Sequence, residues 1–271
     1  MIRFLILAGY FELTMYLQLS GKLNQYINLH YSYLAYISMF LSFVLALVQL
    51  IIWVKQMKIH SHLSGFWAKV ASIFLLCIPL FVGLFFPTVT LDSQTVSAKG
   101  YHFPVAAGSS KEIQQDEGTT TQYLKPDTSS YFTKSAYESE MKQAAKKYVD
   151  KKVIQVTTEN YMEVMEVIYD YPDQFAGKTI ELTGFVYNDP NNKDSQFLFR
   201  FGIIHCIADS GVYGLLTTGA PQHFENNTWI QAKGTLSIEY HKQLKQSLPV
   251  LHIRDCQTIT KPDNPYVYRV F

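Results

Sequence analysis

The stretch "TTENYMEVMEVIYDYPDQFAGKTIELTGFVYNDP", residues 157–190, changes its apolar period midway, and that change decides the fold class of the second half of the chain. Tyr161, Val164, Met165 and Ile168 recur at i, i+3, i+4 and i+7, which is one face of a helix. Pro172 ends that helix, since a proline ring has no N–H to continue the ladder. After Gly177 the spacing becomes alternating, and Ile180, Leu182, Gly184 and Val186 share one face of a strand. A glycine on the apolar face, Gly184, predicts a sharp bend or a closely approached backbone.

Working downstream, strands are predicted at 196–208, 212–218, 228–238 and 250–259. In the third of these Ile230, Ala232, Gly234, Leu236 and Ile238 alternate with Trp229, Gln231, Lys233 and Thr235. Five strands with small residues such as Gly184 and Gly234 at bends predict a mainly β domain, a small closed barrel of OB type with a flanking helix. The closing "KPDNPYVYRVF" is expected to lie as an ordered tail against it. Upstream, "SAYESEMKQAAKKYV" opens with Ser135 and Glu138 in capping-box spacing and predicts a mostly solvated helix. Residues 87–130 are rich in Ser, Thr, Gln and Gly without an apolar period, and read as an extended tether.

The first 87 residues have a different character. Three apolar segments, 4–19, 33–54 and 70–86, are predicted to cross a membrane, the second being uncharged and long enough for about 30 Å of hydrocarbon. Pro79 and Gly83 in the third are tolerable in lipid, where neighbouring groups re-satisfy the backbone. The first has Arg3 in front and Glu12 in its middle. With no small-x-small cleavage site behind it, it reads as a retained helix rather than a signal peptide. Lys55, Lys58 and Lys69 in the second connection outweigh the lone Lys22 in the first. By the positive-inside rule the N-terminus is cytoplasmic and the C-terminal domain extracytoplasmic, in a multi-pass protein of the cell membrane. The organisation expected is therefore a membrane domain over 1–87, a polar tether with a short helix over 88–150, and an OB-like domain over 151–271.

Charge narrows the function. The whole chain carries 23 basic and 22 acidic residues, and residues 150–271 carry 11 Lys and Arg against 14 Asp and Glu, a net of −3. A nucleic-acid groove needs local positive charge, so that class is excluded as the main partner. No phosphate loop, no H-E-x-x-H and no nucleophile with an ordered base appears, which leaves no enzyme signature. Glu12 is the membrane candidate: a carboxylate in mid-bilayer marks either a transport pathway or a contact that aids assembly. His60 and His62 supply two imidazoles in a loop, half a metal site.

The most chemically loaded line is "RFGIIHCIADSG", residues 200–211. On a regular strand His205 and Cys206 would point to opposite faces, with Cys206 inward. Three readings stand. Cys206 is a core residue; or His205, Cys206 and Asp209 join His252 and Cys256, four apart on one face of a regular last strand, in a zinc-like site; or Cys206 pairs with Cys256. His223 and His241 are further ligand candidates in loops. Arg200 and Asp209 are expected to form an ion pair. Cys77 reads as a small packing residue.

The blocks "FAGKTIELTGFVY", "FLFRFGIIHCIADSGVYGLL", "TWIQAKGTL" and "DNPYVY" resemble the soluble domain of the YcgQ family of permease subunits, and the helices ahead of a polar tether extend the likeness over nearly the whole chain. The family's Arg-x-x-x-x-Cys-Cys-x-Ala-Asp block reads here as Arg200 and then His205-Cys206-Ile207-Ala208-Asp209. The first cysteine is replaced by His205, which keeps metal-ligand chemistry and removes a vicinal dithiol. The resemblance implies a multi-helix permease partner of the YcgR type and a link to divalent-metal handling, with zinc as the cofactor to test. The function expected is an accessory permease subunit whose outer domain binds or gates solute. The alternative is a stand-alone membrane-anchored ligand-binding or sensing module.

Overall fold

A computed structural model describes residues 1–57, 65–86, 89–100, 134–190, 196–241 and 246–270. The loop histidines His60 and His62 lie outside the described residues, as does most of the expected tether. The chain divides into two compact units, Met1–Thr90 and Leu91–Phe271.

The first unit holds α1 (Ile2–Leu19), α2 (Ser32–Val54) and α3 (Phe66–Phe85), and all three are long and apolar enough to cross a membrane. Small residues let α1 and α3 approach. A Cβ on Gly9 would lie 3.0 Å from Leu80, and one on Gly83 would lie 2.9 Å from Leu13. This is how helices associate where lipid removes the hydrophobic drive between them. The Tyr10 hydroxyl donates to the Leu76 carbonyl at 2.9 Å, and Phe11 tilts against Phe43 of α2 with ring centroids 5.3 Å apart. Most of the unit's large apolar side chains, such as Phe40, Leu75 and Phe81, face outward.

The second unit opens earlier than the polar composition predicts. Asp92 caps the short helix α4 (Ser93–Lys99) by accepting from Gln94 and Thr95. Its neighbours dock on the β domain: Leu91 N–H donates to the Tyr266 hydroxyl, Ser93 N–H to the Asn227 side chain, and Val96 is in the core. Leu91, Val96 and Ala98 are the apolar residues of this stretch, too few and too unevenly spaced for a period, so the sequence does not announce the docking.

Helix α5 (Lys134–Val149) follows. It is less solvated than expected, since Met141, Ala144, Ala145 and Tyr148 are buried. Then come β1 (Val153–Gln155), α6 (Tyr161–Asp170) and the single turn α7 (Pro172–Phe175), with Pro172 starting the turn after ending α6. The remaining strands are β2 (Thr179–Asn188), β3 (Gln196–Ile203), β4 (Gly211–Thr218), β5 (Trp229–His241), β6 (Gln246–Thr258) and β7 (Val267–Tyr268).

Five of these strands close a ring in the order β2-β5-β6-β4-β3 and back to β2. All pairings in it are antiparallel except β4 with β6. β1 adds in parallel to β2, and β7 adds in parallel to β3. Gly184 sits where β2 changes partner, from β5 through Phe185 to β3 from Phe185 onward. A Cβ on Gly184 would fall 2.7 Å from the Phe199 carbonyl oxygen, so the close approach read from the sequence is present. α6 is buried on nearly every side, between the ring and a layer made by α5 and the β7 tail. Even Glu166 on it is buried, facing Arg269.

Candidate functional site

The "RFGIIHCIADSG" line splits into a strand end and a turn. β3 stops at Ile203, five residues short of the predicted strand, so the alternation that would send His205 and Cys206 to opposite faces does not apply. The cause is Asp209. Its carboxylate accepts from the backbone N–H of His205 (3.0 and 3.2 Å to its two oxygens) and from that of Cys206 (3.0 Å), and it bonds His205 Nδ1 at 2.7 Å. An aspartate that satisfies two successive N–H groups offers the backbone an alternative to the strand ladder. The chain therefore turns into a short 3₁₀ helix, Ile207–Asp209, capped by Cys206, whose carbonyl accepts from the Asp209 N–H at 3.1 Å. His205, Cys206 and Asp209 are brought together, each part-exposed, so Cys206 is not the inward core residue expected of a regular strand.

Arg200 does not pair with Asp209. It is only 3 % exposed. Its guanidinium donates to the carbonyls of Asn264 (3.1 Å), Pro265 (3.2 Å) and Tyr266 (3.0 Å) and to the Thr158 hydroxyl (3.0 Å). It also lies over the rings of Tyr161 and Trp229, at 5.6 and 5.8 Å. Three carbonyls from one proline-broken segment match the fork of donors that only a guanidinium presents. Burial pulls the Arg200 pKa down, opposed by Tyr161, Tyr268 and Glu159. The role is a clamp that seats the C-terminal tail beside β3. Tyr268 of that tail is pushed up to about 12 by its burial, and its hydroxyl donates to Asn264.

The last strand is not regular. Lys233 pairs with Asp255 while Gly234 pairs with Ile253, so Arg254 is an extra residue, a β-bulge. A bulge reverses parity: His252 stands opposite Thr235 on the outer face, whereas Cys256 stands opposite the fully buried Ala232 and packs against the core. His252 and Cys256 are therefore on opposite faces, against expectation. Burial, then the nearby Asp255 charge, push the Cys256 thiol up. Gly234 enables the bulge, since a Cβ there would lie 2.2 Å from the His252 carbonyl oxygen. Cys77, Cys206 and Cys256 are all free thiols.

His252 has its own partners, which the sequence did not reveal. Its Nδ1 lies 2.8 Å from Thr218 Oγ1, and its Nε2 lies 2.7 Å from Ser237 Oγ and 2.6 Å from Glu239 Oε1. Thr218, Ser237 and Glu239 come from β4 and β5, and only the register of three strands brings them to one imidazole. Of the other histidines weighed as ligands, His223 is exposed and His241 is buried at the end of β5. Among the described residues no three His, Cys, Asp or Glu side chains are placed to hold a metal ion. The donors present do not fit the tetrahedral zinc site that the sequence raised. In the other unit Glu12 is exposed on α1.

Fold and site together define a class: a unit of three apolar, membrane-length helices joined to a separate, mainly β unit closed by a ring of five strands. Residues 2–102 match the DUF1980 N-terminal domain and residues 131–269 the DUF1980 C-terminal domain. A Streptococcus mutans protein carrying the provisional name of two-component membrane permease complex subunit is 67% identical over 271 residues, covering all of both chains. The UPF0703 protein YcgQ of Bacillus subtilis is 40% identical over 291 residues, again covering all of both. The chain belongs to this family, the DUF1980 proteins that include YcgQ.

Proposed function

We propose that the chain is the accessory subunit of a membrane permease complex. Its helices dock on a multi-helix permease of the YcgR type, and its β unit, of OB type, lies outside the cytoplasm and binds or gates solute. The observation that carries this reading is Glu12, an exposed carboxylate on a membrane-length helix. A charged group in that position is costly in lipid and favours a protein partner or a polar pathway. The name of the Streptococcus mutans relative, which describes a subunit of a two-component complex, supports the same assignment. The balance of Lys55, Lys58 and Lys69 against Lys22 supports the orientation. The five-strand order, with one parallel pair between β4 and β6, supports the OB-type reading.

Affinity purification of the tagged full chain from native membranes in mild detergent tests the assignment. A multi-helix protein should co-purify, and Glu12→Gln should reduce its recovery at least severalfold. Recovery of the chain alone would overturn the assignment in favour of a stand-alone anchored module.

A further inference from the structure

The helical unit has a cavity of about 700 Å³ at one end, between the first turn of α1, the last turns of α2 and the first turns of α3. Its lining is divided by chemistry. Ile6, Ile52, Ile73 and Leu76 form apolar walls, while Arg3 and Lys69 supply two cations and Gln49 and Gln56 supply amide donors. Among the described residues no acidic one lines it. From Lys69 to Leu76 the α3 wall runs seven residues, about 10 Å at 1.5 Å per residue. A cationic mouth thus leads into an apolar slot.

We infer that this cavity holds an anionic phospholipid, with the phosphodiester between Arg3 and Lys69 and part of an acyl chain against the isoleucines. Three features select this occupant. Two cations, with no carboxylate among the described lining residues, leave a positive charge that a net-negative headgroup neutralises and a zwitterionic one does not. The walls are apolar, which a free phosphate would not use. The volume lies within the range of pockets that enclose small-molecule ligands, roughly 300–1,000 Å³. The location also fits, because ends of membrane helices meet headgroups, and Trp53, which lines the cavity, belongs to the residue type that settles at that level. The inference is independent of the permease assignment and requires only that the helices are in a bilayer.

Native mass spectrometry of the full chain in detergent, titrated with phosphatidylglycerol or phosphatidylcholine of identical acyl chains, tests it. At least a tenfold preference for phosphatidylglycerol is expected, with one lipid retained per chain. Arg3→Gln and Lys69→Gln should each lower the preference severalfold, and together bring it near parity. Lys55→Gln removes a cation just beyond α2 that does not line the cavity, and should leave the preference unchanged. Equal retention of the two lipids overturns the inference. So does an effect of Lys55→Gln as large as that of Arg3→Gln, which would mean diffuse surface attraction. Displacement of the lipid by millimolar inorganic phosphate would assign the cavity to a soluble anion instead. If the double variant does not fold, the two single variants and the phosphate competition decide.

Discussion

The two units of this protein bury apolar side chains in opposite senses. In the helical unit most of the large apolar residues of α2 and α3 are exposed, and Ile6, Leu23 and Ala46 are the buried apolar residues among those described. In the β unit Phe197, Phe199, Leu215, Ile180 and Met165 are shielded completely or nearly so. The same amino acids have thus been placed against different solvents. The helical unit is built for lipid, where outward apolar surface costs nothing and small residues such as Gly9 and Gly83 set the packing. The β unit is built for water, where removal of apolar area is the main drive and a ring of strands encloses it.

The β unit is most vulnerable at a glycine. Gly234→Val must push a side chain into the His252 carbonyl, a backbone group that cannot swing aside, and should cost more than about 4 kcal/mol. Circular dichroism of the detergent-solubilised chain should then show the β signal melting tens of degrees earlier while the helical signal persists. Loss of both together would mean that the units do not unfold separately. Leu215→Ala in the ring core should cost about 3 kcal/mol, whereas Leu75→Ala, 65% exposed on α3, should stay within about 0.5 kcal/mol in detergent unfolding. Equal costs would mean that the two units bury apolar area alike.

Arg200→Met retains the aliphatic bulk but leaves the Asn264, Pro265 and Tyr266 carbonyls without their donor. A destabilisation of about 2–3 kcal/mol is expected, with faster hydrogen exchange at Val267 and Tyr268. Unchanged exchange there would rule out the clamp. Asp209→Asn keeps the shape of the turn and removes the charge that two N–H groups and an imidazole share, for about 1 kcal/mol. It should also speed hydrogen exchange at the His205 and Cys206 amides, and unchanged exchange there would rule out the bracing role of Asp209. The smallest effect concerns Cys256. A raised thiol pKa means that the neutral form is favoured, so its thiolate forms only above the ordinary thiol range of about 8.5. Iodoacetamide labelling at Cys256 should lag behind that of a free cysteine at pH 8 and converge with it as pH rises. Labelling as fast as the free amino acid at pH 8 would contradict a thiol held against the core.

Much of the frame was legible. The period change after Gly177 marked α6 and β2, and the membrane segments stood out by length and lack of charge. The strands at 212–218, 228–238 and 250–259 lie within three residues of the observed starts and ends, except for the early start of β6 at Gln246. Gly184 announced a close backbone approach, and a carbonyl oxygen is there. Regularity fails at two places. An unbroken strand would send His205 and Cys206 to opposite faces, yet Asp209 captures both their N–H groups. An unbroken β6 would keep His252 and Cys256 on one face, yet the bulge at Arg254 separates them. In both places one side chain or one extra residue overrides the period, and a period is an average over neighbours.

Hydrophobic order along the chain alone thus determined that there is a membrane-length helical part and a mainly β part, because each is a repeat of local spacing that any solvent boundary enforces. Only the tertiary structure decided that Arg200 serves the tail rather than Asp209, that Thr218, Ser237 and Glu239 meet at His252, and that Arg3 and Lys69 face one cavity. The members of those pairs are 13 to 66 residues apart in the chain. Which polar groups meet across such distances depends on register, bulges and helix packing, none of which leaves a period in the sequence.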